Sequence, residues 1–207
     1  MKIPQINDRL EQTLLDTGCD CVVGVDEVGR GSWAGPVVAA AFVYTRGQKL
    51  IPAVDDSKRL TLKRRIKIEK KLRKQNYSIG VAGVEEIDNV NILQATRLAI
   101  KRAIMDLDVK KYIVLLDGYF KEPFNFKYKC IIKGDAKHYS IAAASVLAKV
   151  YRDNLMVDLA KKYHGYGFKT NVGYGTAEHR AGLERHGVCD IHRRSYKPIK
   201  KLIGENN

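Results

Sequence analysis

Asp26 and Glu27 stand side by side at the end of an apolar run, and Gly29-Arg30-Gly31 follows at once. Neighbouring carboxylates repel one another unless something cationic lies between them. Glycines let a backbone approach a ligand closely, and here they bracket a guanidinium. Acids, exposed amides and an arginine within six residues suggest metal-assisted chemistry on a phosphate. The plain alternative is a turn whose acids face water.

Two further acids share that setting. Asp117 follows the apolar run 112–116, and Asp135 follows the run 128–132 and precedes a long helical segment. Taken singly, Asp117 before Gly118 reads as a turn residue, and Asp135 reads as a helix cap. Taken together, hard oxygen ligands at neighbouring strand ends suit Mg²⁺ or Mn²⁺. Two such ions ~3.5–4 Å apart can activate a water and stabilise the leaving oxygen of a phosphodiester. Asp153 lies about 27 Å further along an unbroken helix and is expected to be a structural partner of Arg152 or a nearby turn, outside the catalytic set.

The elements that must position these acids follow from hydrophobic spacing. Strands are expected at 22–25, 36–44, 77–84, 112–116 and 128–132. A very basic helix is expected over 61–75, with Ile66 and Leu72 among its apolar positions. A second, over 91–107, has Leu93, Ile100, Ile104 and Leu107 on one face, and a third of about 20 residues follows Asp135. From Gly165 the chain is rich in glycine and tyrosine, then basic and helical to its end. The pattern predicts an α/β fold with a mixed sheet. In such folds ligand sites gather beyond the carboxyl ends of strands, so adjacent strands would bring the acids together. The expected division is an N-terminal extension (1–19), a catalytic core (20–165) and a small C-terminal helical element for substrate binding (166–207).

Composition narrows the partner. With 37 Lys and Arg against 23 Asp and Glu, the net charge of +14 favours a polyanion, and nucleic acid is the commonest soluble one. No apolar run reaches the length of a membrane span, and the first residues do not read as a signal peptide. Cys19, Cys21, Cys130 and Cys189 have no framework spacing, and the pair at 19 and 21 is too tight for a zinc knuckle. A reducing, cytoplasmic location is expected.

Several long stretches resemble the type 2 ribonucleases H, specifically bacterial ribonuclease HII. They are DEVGRGSWAGPVVAAA at 26–41, DDSKRLT at 55–61, NILQATRLA at 91–99, LLDG at 115–118, KGDAKHYSIAAASVLAKVYRD at 133–153, YGF at 166–168, GYGTAEH at 173–179 and HRRSY at 192–196. The resemblance implies a ribonuclease H-like fold with a mixed five-stranded sheet flanked by helices. It also implies cleavage of RNA in RNA–DNA hybrids and nicking 5′ to ribonucleotides embedded in duplex DNA. Carried over by motif, Asp26, Glu27, Asp117 and Asp135 would be catalytic and would hold two Mn²⁺ or Mg²⁺ ions. Gly29, Arg30 and Gly31 would read the ribose 2′-hydroxyl, the group that separates RNA from DNA. Tyr174 would stack on the following deoxyribose, and Lys58 would contact a phosphate.

Two departures stand out. Val172 occupies a place where the family commonly has lysine, and Tyr196 one where phenylalanine is more usual, a change expected to matter little. The related ribonuclease HIII class carries an additional N-terminal domain and a glutamate as fourth acid. Here about 20 residues precede the first strand and Asp135 is the fourth acid, which favours HII. A monomer without a protein partner is expected. Competing readings are a metal-free nucleic-acid-binding domain, disfavoured by the four acids, and a nucleotide-binding enzyme, disfavoured because 24–35 contains no G-x-G-x-x-G or G-x-x-x-x-G-K-[ST] pattern.

Overall fold

The structure, a computed structural model, describes residues 6–204. The first five residues of the expected N-terminal extension and the last three of the C-terminal element lie outside that range. The β-branched run around Val22 forms β1 (Cys21–Val28), which pairs antiparallel with β2 (Val37–Thr45). Beyond β2 lies β3 (Tyr77–Ala82), also antiparallel. On the other side of β1, β4 (Tyr112–Asp117) and β5 (Tyr128–Ile131) run parallel to it and to each other. The result is a mixed five-stranded sheet of order β3-β2-β1-β4-β5.

Strand side chains alternate between faces, so each strand feeds two cores. Val22, Ala40, Phe42, Ile113 and Leu115 pack beneath α4 (Tyr139–Ala160), together with α2 (Leu62–Leu72) and α1 (Arg9–Leu15). Val23, Val25, Ala39, Ala41, Val114 and Leu116 pack beneath α3 (Val84–Met105). The helix α4 lies directly on β1. An added Cβ at Gly24 would sit 2.2 Å from the Ser140 carbonyl carbon, so only glycine permits this approach.

Three local expectations are corrected. The α3 helix begins at Val84, before the predicted 91, because Glu86 accepts the Gly83 amide at 2.9 Å and starts an earlier segment. Asn91 (φ 67°) then kinks the chain and caps the second segment, its Oδ1 accepting the Leu93 and Gln94 amides. Ile100 and Ile104 are buried as expected, but Leu93 is exposed at that kink. Asp135 does not cap α4. It sits in a 3-10 turn (Gly134–Ala136), and α4 starts at Tyr139. The amide and hydroxyl of Ser140 instead donate to Glu11 of α1, which the sequence did not announce as a helix.

After α4 the chain forms α5 (Phe168–Asn171), α6 (Ala177–His186) and α7 (Lys197–Leu202), with a non-helical stretch at 187–196. Their core joins Tyr166, Phe168, Leu183 and Ile199 to Ala34 and Met156, which seats this element beside the glycine loop. Among the described residues no helix is long and apolar enough to cross a membrane.

Candidate active site

The parallel register of β1 and β4 pairs Val25 with Leu116, so the next residues, Asp26 and Asp117, emerge together at the carboxyl end of the sheet. Asp26 shares the face of Val22 and Gly24, and Asp117 that of Ile113 and Leu115, so both point toward α4. The 3-10 turn after β5 brings in Asp135. One carboxylate oxygen from each of the three lies within 4.8 Å of the others. Asp26 and Asp135 are buried, Asp117 partly so.

Glu27 is outside this triplet. Adjacent strand residues leave the backbone toward opposite faces, yet at the end of β1 the Glu27 and Asp26 side chains line one cleft. Glu27 Oε1 accepts from Arg30 Nη1 at 3.1 Å. It stays close enough for its charge to be felt at Asp26.

Burial raises the Asp26 pKa well above its ordinary 3.8, and the negative charges of Glu27, Asp117 and Asp135 add to the rise while the Ser145 hydroxyl opposes it. Asp135 is raised by burial and then by Asp117 and Asp56, against the pull of Lys58. Glu27 is raised by burial, with Arg30 opposing. A cluster of hard oxygens that penalises its own charge is suited to a divalent cation, which cancels the repulsion. The donor set fits Mg²⁺ or Mn²⁺.

Lys58 Nζ is 3.5 Å from Asp135 Oδ2. Burial acts to lower the Lys58 pKa, but Asp135, Asp26 and Asp56 outweigh it and the net shift is upward. The loop that carries Lys58 is tied to α4 by Ser145, whose hydroxyl donates to Ser57 Oγ at 2.9 Å. A cleft of about 170 Å³ is lined by Asp26, Glu27, Lys58, Lys149 and Tyr174 among others. Thus Asp26, Glu27, Lys58 and Tyr174 share one opening, and Asp117 and Asp135 adjoin it through Asp26.

Gly29, Arg30 and Gly31 continue directly from Glu27 and Val28, which line the cleft. Gly29 has φ +94°, and an added Cβ there would lie 2.1 Å from Arg152 Nε. Gly31 differs, because a Cβ would meet only Tyr174 Cε1, at 3.7 Å. Tyr174 is exposed, and the turn before it contains Val172 at φ 45°, an uncommon conformation for a β-branched residue. The Val172 carbonyl accepts from Arg152 Nη1 at 2.9 Å.

The sequence reading missed several supports. Arg152 is fully buried and donates to the carbonyls of Pro36, Val172 and Ala34. Arg152 is therefore not the partner of Asp153, although it is one of the two expected alternatives. Asp153 instead accepts from Lys149 at 2.7 Å and Arg65 at 3.5 Å. Arg193, also fully buried, donates to the carbonyls of Gly29, Arg30 and Gly35. The Tyr196 hydroxyl, expected to change little, bonds the Arg30 carbonyl. The one signal available was the four-residue spacing of Ser145 and Lys149, which puts both on the cleft face of α4.

The fold and this site have relatives. The sequence profile of the family described as Ribonuclease HII matches residues 23–199. A ribonuclease HII of Chlamydia caviae is 48% identical over 93% of this chain and 92% of its own length. One from Desulfitobacterium hafniense is 47% identical over 94% of this chain and 75% of its own. Among solved structures, ribonuclease H2 from Pyrococcus horikoshii superposes with a TM-score of 0.69 at 26% identity, covering 88% of this chain and 96% of that one. A ribonuclease HII from Archaeoglobus fulgidus, solved in complex with PCNA, shares the fold with a TM-score of 0.73 at 24% identity, covering 86% and 95%. With a profile match across most of its length and relatives near half identity, the chain belongs to the ribonuclease HII family.

Proposed function

We propose that this ribonuclease H cleaves the RNA strand of RNA–DNA hybrids and also nicks duplex DNA on the 5′ side of embedded ribonucleotides, leaving a 5′-phosphate and a 3′-hydroxyl. The reading is carried by one observation: three carboxylates within 4.8 Å of one another, beside a glycine-flanked arginine and an exposed tyrosine.

Asp26, Asp117 and Asp135 are the residues that would hold two Mn²⁺ or Mg²⁺ ions, with Glu27, which lines the same cleft as Asp26, completing the set. When bound, divalent cations activate the attacking water and stabilise the leaving 3′-oxygen. Lys58, beside Asp135, meets the phosphate next to the cut. Gly29, Arg30 and Gly31 present main-chain groups to the ribose, and Tyr174 offers its ring to the deoxyribose that follows. The exposed basic residues of 58–74 and 194–201 hold the duplex through phosphates, without reading base edges.

In this reading residues 20–165 are the catalytic core and 166–207 the substrate-binding element, which reaches the cleft through Tyr174. The four cysteines are all free, in keeping with a reducing cytoplasm. The test is a duplex DNA carrying one ribonucleotide, incubated with and without Mn²⁺. A single metal-dependent nick on the 5′ side is expected. Cutting of the all-DNA control at equal rate, or no cutting at all, would refute the reading.

A further inference from the structure

The carbonyls of Gly29 and Arg30 both point into the protein. Arg193 Nη2 donates to the first at 2.7 Å and Nη1 to the second at 2.9 Å. The Tyr196 hydroxyl donates to the same Arg30 carbonyl and accepts from Arg193 Nη1 at 2.8 Å. In a trans peptide the carbonyl and the following N–H point in opposite directions, and no described peptide bond is cis. The amides of Arg30 and Gly31 are therefore turned away from Arg193. Among the described residues neither amide donates to a protein acceptor.

Stability alone does not account for this arrangement. Arg193 is fully buried, and among the described residues no carboxylate lies within ion-pair distance of it. A buried charge is costly unless its donors are met, and an apolar side chain of similar volume is often no worse for stability. What the guanidinium fork provides is direction, because it fixes two consecutive peptide planes. Gly31 gives an independent sign that the outward side is kept clear. Its φ is not positive and a Cβ would fit the protein, so no contact within the chain demands glycine there.

We propose that Arg193 and Tyr196 are positioning residues for ribose recognition, holding the Arg30 and Gly31 amides as a paired donor aimed into the cleft. The paired amides would donate to a 2′-hydroxyl, an acceptor that deoxyribose lacks. This rests on the ribonucleotide-cleaving function proposed above. It assigns a role to a hydroxyl that phenylalanine would not supply at position 196.

The test uses Tyr196→Phe, which keeps the packed ring, and Arg193→Lys, which keeps the charge but not the fork. Affinity is measured for an all-DNA duplex and for the same duplex with one ribonucleotide, alongside Mn²⁺ affinity, Tm, kcat and KM. Loss of one neutral hydrogen bond should cut the ribonucleotide preference of Tyr196→Phe roughly 3–10-fold, through KM, with all-DNA and Mn²⁺ affinity unchanged. Arg193→Lys should lose more of that preference. An unchanged preference in Tyr196→Phe, or equal weakening toward both duplexes, would overturn the inference whether or not Arg193→Lys folds. If the unmodified protein itself showed no preference, the proposed function would fail first, and this inference with it.

Discussion

The Oδ1 atom of Asp117 accepts the backbone amide of Gly134 at 2.7 Å, bonding the end of β4 to the turn that carries Asp135. The same oxygen accepts the Gly118 amide at 3.0 Å. One carboxylate oxygen thus sets the geometry of the acid cluster, while the side chain as a whole supplies its charge.

That division predicts different outcomes for two substitutions. Asp117→Asn retains an oxygen that can accept from Gly134, so the fold and duplex binding should persist while cutting is abolished. Asp117→Ala loses the bond as well, and should cost about 1 kcal/mol more in stability. Thermal unfolding alongside an activity assay separates them. Equal Tm values for the two variants would contradict the bridging role.

The raised carboxyls make the cation-free protein sensitive to pH. Burial, then neighbouring negative charge, lifts Asp26 well above its ordinary 3.8, and burial and Asp117 lift Asp135 from the same value. An acid whose folded pKa is raised favours folding when protonated. Its penalty is absent below the unfolded value, grows as pH climbs from there to the folded pKa, and is complete above it. Cations offset that penalty, so the gain in Tm on adding Mn²⁺ should be larger at about pH 8 than at about pH 5. A gain independent of pH, measured by thermal shift, would argue against the cluster as its source.

Gly29 and Gly31 should respond oppositely to alanine. Gly29→Ala places a Cβ at φ +94° against the buried Arg152 guanidinium, and should cost at least about 1 kcal/mol of stability. Gly31→Ala meets only Tyr174 at 3.7 Å, so its Tm should hold while affinity for a ribonucleotide-containing duplex falls. Calorimetry and a binding titration of both variants decide this. A destabilised Gly31→Ala with normal affinity would reverse the assignment.

Lys58 has its ammonium beside Asp135 but a largely exposed side chain. If it neutralises one phosphate, Lys58→Ala should weaken all duplexes to a similar degree and reduce the log–log salt slope of binding by about 1. Titrations at several salt concentrations test it, and an unaltered slope would remove Lys58 from the interface.

The parts of this molecule legible in its sequence are those encoded locally. β-Branched runs ending in Asp26 and Asp117 marked strands and acids at once, because strand, burial and terminus are all short-range signals. Parallel pairing of β1 with β4 then placed the acids together, as open α/β sheets require. What escaped depends on distant partners. Arg152 and Arg193 give no local sign of their burial, because most of the loop carbonyls they meet lie more than 100 residues away. Glu11 fell within the expected N-terminal extension, yet its carboxylate accepts the Ser140 amide in the first turn of α4, 129 residues later. Asp26 and Glu27 alternate in direction along β1, yet both line one cleft because they stand at the carboxyl end of the strand.

In the proposed function, cutting depends on Asp26, Asp117 and Asp135 acting as one divalent-cation centre. The most direct test of that dependence is a Mn²⁺ titration by calorimetry of the protein and of Asp26→Asn, Asp117→Asn and Asp135→Asn, with strand cleavage followed in parallel. Each substitution should weaken Mn²⁺ binding about tenfold or more and remove cleavage, since each withdraws a charged oxygen donor from the same ion cluster. A folded variant that binds Mn²⁺ like the parent and still cuts would contradict it.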